Sequence, residues 1–188
     1  MSSGEPARTR TFTWDDPLAS AAKGMTMGGL DYLRLVASGE LPPPPIASLL
    51  GMTIDELEHG RAVFGLEPAE WMYNPIGSVH GGIAATILDS CMGCAVHTTL
   101  SQGHAYTTTD LQIRYLGAMS HDTGKVQAIG EVVHVGGRVA AAEGRIVDGD
   151  GTLLAHGTTG CLVTRPPVQI QGAVALVTGA NRGIGTGS

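Results

Sequence analysis

Asn74-Pro75-Ile76-Gly77-Ser78-Val79-His80-Gly81-Gly82, followed by a run from Ile83 to Val96 whose only charge is Asp89, decides how this chain is read. The first nine residues read as an irregular turn that feeds the start of a helix. A Gly-Gly helix start presents backbone N–H groups that have no partner within the helix, and these favour a negatively charged oxygen. Two turns further on, a single carboxylate stands among Ile, Ala, Thr, Leu, Ser, Cys, Met, Gly and Val. Such a group must be paired, solvated, protonated or in use.

Working outward, the pattern predicts one long helix from about Gly81 to Thr99. Leu30, Leu33, Leu35 and Val36 predict a short amphipathic helix that ends near Gly39, and the four prolines 42–45 force an extended spacer. Gly51–Leu57 and Arg61–Leu66 read as two strands turned at Glu58-His59-Gly60. After the long helix come four strand-like runs separated only by turns: Ala105–Leu116, Gly124–Val135, Arg138–Val147 and Thr152–Thr164. The segments 135–138 and 148–151 are hairpin signals. One long helix followed by an antiparallel meander implies an α+β fold, a twisted sheet wrapped around a helix whose Ala84, Ala85, Gly93 and Ala95 permit close approach. In the strand at 106–116, strict alternation puts Leu111, Ile113 and Tyr115 on one face and Thr108, Asp110, Gln112 and Arg114 on the other.

Composition narrows the function. With 188 residues and 43% apolar residues the chain can bury a real core, yet aromatics are only 4% and there are 28 glycines, so that core is built from small and aliphatic side chains. A net charge of −6 argues against nucleic acid or an anionic membrane as main partner. Cys91, Cys94 and Cys161 do not make a disulfide framework. They read as small packing residues, and no second Cys/His pair supplies a metal site. Residues 1 to about 27 are polar and read as loosely docked. They lack the apolar core of a secretory signal, and no apolar run nears the length of a membrane span; the expected location is a reducing cytoplasm.

The motif Asn74-x-x-Gly77-x-x-His80-Gly81-Gly82 with Asp89 beyond it resembles the PaaI-like branch of the hotdog-fold acyl-CoA thioesterases. The resemblance covers roughly residues 28–165 and includes the lead-in Gly39–Ile46 and the strand Tyr106–Leu116. It implies the hotdog architecture, with an N-terminal extension over 1–45, the hotdog domain over 46–165 and a tail over 166–188. It also implies a substrate that carries coenzyme A, with no further cofactor. Carried over residue by residue, Asn74 matches the asparagine that holds the thioester carbonyl or the water, Gly81 the oxyanion glycine, and Asp89 the catalytic carboxylate. Thr108 falls where relatives place a Ser or Thr that orients the water. His80 adjoins the site in a structural or polarising role, and Gly82 belongs to the same helix start. Arg138, beside the Gly136-Gly137 turn, is the candidate phosphate contact, with Arg114 and Arg145 behind it. The remaining histidines, 59, 97, 104, 121, 134 and 156, read as surface or turn residues.

Thioester hydrolysis needs donors for a developing oxyanion and a base or nucleophile. Eight helical residues separate Gly81 from Asp89, which is roughly 12 Å at the rise of an α-helix. Groups acting on one carbonyl lie far closer together than that. One helix cannot supply both to one site, but two antiparallel copies facing each other across a two-fold axis can, so a homodimer with two shared sites is expected. The family resemblance implies the same, and often a dimer of dimers. Three alternatives remain: a hotdog enoyl-CoA hydratase or dehydratase, against which Met72 stands where an Asp is usual; a non-catalytic acyl-CoA or acyl-carrier binding module, against which the costly Asp89 stands; and, on the strength of the tail alone, an NAD(P)-linked oxidoreductase. Finally, residues 174–185 resemble the strand and glycine-rich phosphate loop that open a short-chain dehydrogenase. Such a loop works only when a helix and the rest of a parallel sheet complete it, and no cofactor binding is expected of this segment.

Overall fold

The computed structural model describes residues 8–164, so the dehydrogenase-like segment and the expected boundary after residue 165 lie outside the described residues. The chain opens with three short helices: α1 (Pro17–Gly24), α2 (Gly29–Ser38) and α3 (Pro45–Leu50). The Asp16 side chain caps α1, and α2 stops at Gly39, whose left-handed φ of 81° a glycine adopts without strain. Neither α1 nor α3 was expected. The proline run is extended only as far as Pro44, because Pro45 takes the first helical position, where a missing N–H costs nothing.

Two strands follow, β1 (Thr53–Glu58) and β2 (Arg61–Leu66), then helix α4 (Gly81–His97), then β3 (Ala105–Tyr115), β4 (Val126–Val135), β5 (Val139–Val147) and β6 (Leu153–Thr164). They form one six-stranded antiparallel sheet in the order β1-β2-β4-β5-β6-β3, with α4 packed against it. This is the expected α+β hotdog architecture. The meander, however, is β4-β5-β6 alone. The strand β3 pairs with β6 and not with β4, so it lies at the far edge and the 116–125 connection crosses the sheet.

Three glycines in register set how closely α4 meets the sheet. Gly130 on β4 pairs with Gly144 on β5, which pairs with Gly157 on β6. A Cβ at Gly130 would stand 2.4 Å from the Cys91 carbonyl oxygen, and one at Gly144 would stand 2.8 Å from Met92 Cγ. Around this row Ala62, Ile87, Leu88, Cys91, Met92 and Ile146 are fully buried and make the centre of the core.

The edge strand carries one irregularity that matters for function. Thr108 pairs with Cys161 and Asp110 with Gly160, so Thr109 is an extra residue, a β-bulge. The bulge flips the alternation. Thr108 therefore faces α4, as do Leu111 and Ile113 packed on the core, while Asp110, Gln112 and Arg114 face outward and are exposed. The strict alternation expected from sequence had put Thr108 on the outward face.

Candidate active site

The turn at 74–80 is held by its own side chains. Asn74 Oδ1 accepts from the Ile76 N–H at 3.0 Å and the Ser78 N–H at 3.2 Å, and its amide donates to Ser78 Oγ at 3.0 Å. The Asn74 side chain thus shapes the turn that aims the helix start. Backbone bonds from Val79 N–H to Met119 and from His80 N–H to Met72 pin the turn to the sheet end. His80 is the cap of α4: its Nδ1 accepts the Gly82 N–H at 2.9 Å. That commits the Gly82 donor. Among the described residues no acceptor pairs with the Gly81 N–H, which is left at the positive end of the helix. Tyr115 closes over this end, donating to the Gly81 carbonyl at 3.1 Å. A Cβ at Gly81 would sit 3.2 Å from the Tyr115 ring.

Two turns along α4, Asp89 is half-buried, and its Oδ1 accepts the Thr108 hydroxyl at 2.8 Å. The structure thus joins Asp89 to Thr108 and Gly81 to Tyr115, as two separate places on one helix. The phosphate candidates stand elsewhere. Arg138 and Gly137 are exposed at the β4–β5 turn, Arg114 lies on the outward face of β3, and Arg145 is paired with Glu131 at 2.8 Å. Among the described residues no cluster of His, Cys, Asp and Glu could hold a metal ion.

Asp89 opens onto a cavity of about 680 Å³ that the sequence did not disclose. Leu33 and Val36 of α2, Pro43 and Pro44 of the spacer, Ile54 of β1 and Phe64 of β2 make its apolar wall. A stretch expected to be a mere extension therefore builds the pocket. The i, i+3 spacing of Leu33 and Val36 was the available signal, but it says only that a helix face is apolar, not what it covers. Opposite stand Asp89, Ser90, Cys94 and His97 of α4 and Tyr106 of β3. His97 corrects the expectation of a surface residue. It is wedged between the rings of Tyr32 and Tyr106, with centroids at 5.8 and 5.6 Å, and burial pushes its pKa below the ordinary value. The same burial pushes the Cys94 thiol up to about 12, against the opposing hydrogen bond of the Tyr106 hydroxyl, and raises Cys91 and Cys161 too. All three cysteines are free, as packing residues should be.

Comparison with known proteins finds relatives of the same fold. The family described as "Thioesterase superfamily" matches residues 76–155. A Halobacterium salinarum protein, provisionally named an esterase, is 34% identical over 107 residues, 54% of this chain and 69% of that protein. The 1,4-dihydroxy-2-naphthoyl-CoA hydrolase of Listeria monocytogenes is 26% identical over 99 residues, 53% of this chain and 79% of its own. The E. coli PaaI protein from the phenylacetic acid degradation operon superposes with a TM-score of 0.61 at 22% identity, over 70% of this chain and 91% of that one, a likeness of fold.

Proposed function

The chain belongs to the thioesterase superfamily, and from that premise we propose that it hydrolyses an acyl-CoA thioester to the free acid and coenzyme A in sites shared across a homodimer. The observation that carries this reading is the half-buried Asp89 carboxylate. It is hydrogen-bonded to Thr108 and open to an apolar cavity of about 680 Å³. A carboxylate beside a pocket for an apolar group is what acyl-transfer chemistry on water needs.

The edge strand supports the shared site. Along β3, Thr108 stands at Asp89 and Tyr115 stands at Gly81. The strand has eleven residues and, among the described residues, is paired on one side only, leaving a row of backbone groups open to a second strand. Two copies of β3 paired antiparallel about their middle exchange ends. The Gly81 of the partner subunit then comes to Asp89, which overcomes the roughly 12 Å that separates the two on one helix.

In this arrangement the thioester carbonyl oxygen accepts the N–H of Gly81 of the partner subunit, and the acyl group enters the cavity. Asp89 removes a proton from water as the water oxygen adds to the carbonyl carbon, or its own oxygen adds to that carbon first. The tetrahedral oxyanion collapses, the C–S bond breaks and the thiolate leaves, taking up a proton to give coenzyme A; the water route releases the carboxylic acid directly, whereas the other leaves an Asp89–acyl anhydride that water then hydrolyses to the acid and the free Asp89 carboxylate. Thr108 acts as a positioning residue, fixing one carboxylate oxygen so that the other faces the substrate. Arg138, free of ion pairs among the described residues, is the proposed phosphate contact. The test is free-thiol release from a panel of acyl-CoAs by the wild type and by Asp89→Asn. Turnover that the substitution abolishes supports the reading, and equal rates in both remove Asp89 from the chemistry.

A further inference from the structure

Besides Asp89, and His97 eight residues further along the same helix, the cavity wall carries polar side chains at Ser38, Thr53 and Ser90, whose hydroxyls already donate to Leu35, Asp55 and Thr86. The polar groups around His97 are already engaged. The Tyr32 hydroxyl meets Ser20 Oγ at 3.1 Å, and the Tyr106 hydroxyl is shared with the Cys94 thiol. His97 differs, since no hydrogen bond from the described residues reaches its ring. No fully sealed side-chain nitrogen or oxygen among those residues lacks a partner, so the free imidazole nitrogens are ones the cavity reaches. The two tyrosine rings clamp the imidazole in place, and the Gly29 backbone backs it: a Cβ there would stand 2.2 Å from His97 Cδ2.

We infer that His97 is a specificity-determining residue that takes a hydroxyl at the far end of the acyl group, making the substrate a hydroxylated medium-chain acyl thioester. This rests on the thioesterase reading of the site. The chemistry of the end group follows from what surrounds it. A neutral imidazole offers one donor and one acceptor, the complement of a hydroxyl. Burial keeps this imidazole neutral, and none of the described residues lining the cavity is Lys or Arg. A terminal carboxylate would meet no compensating charge, and it would share the cavity with Asp89. Length follows from the helix. Eight residues rise roughly 12 Å, the span of an extended chain of about eight to ten carbons. A plain alkyl chain fits the same wall but leaves the His97 nitrogens desolvated and unpaired, and that is how a site built for a hydroxyl rejects the analogue lacking it.

The experiment compares decanoyl-CoA with 10-hydroxydecanoyl-CoA on wild type, His97→Leu and His97→Gln. The wild type is expected to favour the hydroxylated substrate by about tenfold in kcat/KM, mostly through KM. His97→Leu should erase that preference and His97→Gln should restore part of it, a pattern that loss of packing alone does not produce. Turnover of both substrates by the wild type without preference overturns the inference and leaves the thioesterase reading standing, whether or not either variant folds. A preference unchanged in His97→Leu overturns it equally. If neither substrate turns over, the thioesterase reading fails for this acyl class, and calorimetry with the free acids decides the pocket. Tighter binding of 10-hydroxydecanoate than decanoate, lost in His97→Leu, supports the assignment; equal binding overturns it.

Discussion

Thr108 Oγ1 donates to Asp89 Oδ1 at 2.8 Å, across the gap between edge strand and central helix. The bond exists because the bulge at Thr109 turns Thr108 toward the helix. If Thr108 acts by holding the carboxylate, Thr108→Val lowers kcat by roughly tenfold, the worth of one such hydrogen bond, and Thr108→Ser restores it. Asp89→Asn costs far more, about a hundredfold or beyond. Steady-state kinetics on the best acyl-CoA of the panel checks both.

The register of Gly130 with Gly144 predicts an order of stabilities. At Gly130 an added methyl meets the Cys91 carbonyl at 2.4 Å, rigid backbone that cannot yield without moving the helix. At Gly144 it meets the flexible Met92 side chain. Gly130→Ala should therefore lose about 1–3 kcal/mol and Gly144→Ala less. Urea unfolding of both variants gives the comparison.

Much of this was legible in the sequence, and the limits are physical. The long helix, the six strands and the α+β layering followed from periodicity and turn residues, because those signals are local. Strand order was not local: the next strand to form after β3 is β4, yet β3 pairs with β6. The bulge at Thr109 leaves no compositional trace in Thr107-Thr108-Thr109, so the face of Thr108 could not be read. Asp89 stood out because a charge in an apolar helix is costly. His97 did not, since a histidine near a helix end is commonplace and only the tertiary packing of Tyr32 and Tyr106 buries it. The cavity was invisible for the same reason.

The thiols offer a simple check on packing. Burial raises all three pKa values, so the reactive thiolate is scarce at neutral pH. Native protein should react slowly with a thiol reagent such as Ellman's at pH 8, and all three cysteines should react at once in denaturant. Rapid stoichiometric labelling of the native protein would contradict the described burial.

Acid should weaken the fold in two separate windows. His97 faces Tyr32 and Tyr106 and shares its cavity wall with Cys94 and Asp89 on its own helix. Its folded pKa is depressed, so below about 6.5 the unfolded state binds more protons and stability falls until the pH passes the folded value. For Asp55, burial pushes the pKa up, but hydrogen bonds from Lys125, Thr53 and Gln127 outweigh it and hold the carboxyl below its ordinary 3.8. Its contribution is present above that value and is lost only as pH falls further, through the folded pKa. Urea midpoints at pH 7.5, 6.0 and 5.0 should fall for the wild type and fall less for His97→Gln.

The shared site is the central claim, and subunit mixing tests it most directly. Gly81→Pro removes the N–H at the first helical position, where proline is well accepted, and the exposed Tyr115 ring can give way. Asp89→Asn removes the carboxylate. Each variant alone should be nearly inactive. In a mixed dimer of the two, one site carries both defects and the other carries neither. Random mixing in equal amounts should therefore restore roughly a quarter of the wild-type rate. If verified mixed dimers stay as inactive as the parents, Gly81 and Asp89 do not meet across subunits and the account is wrong.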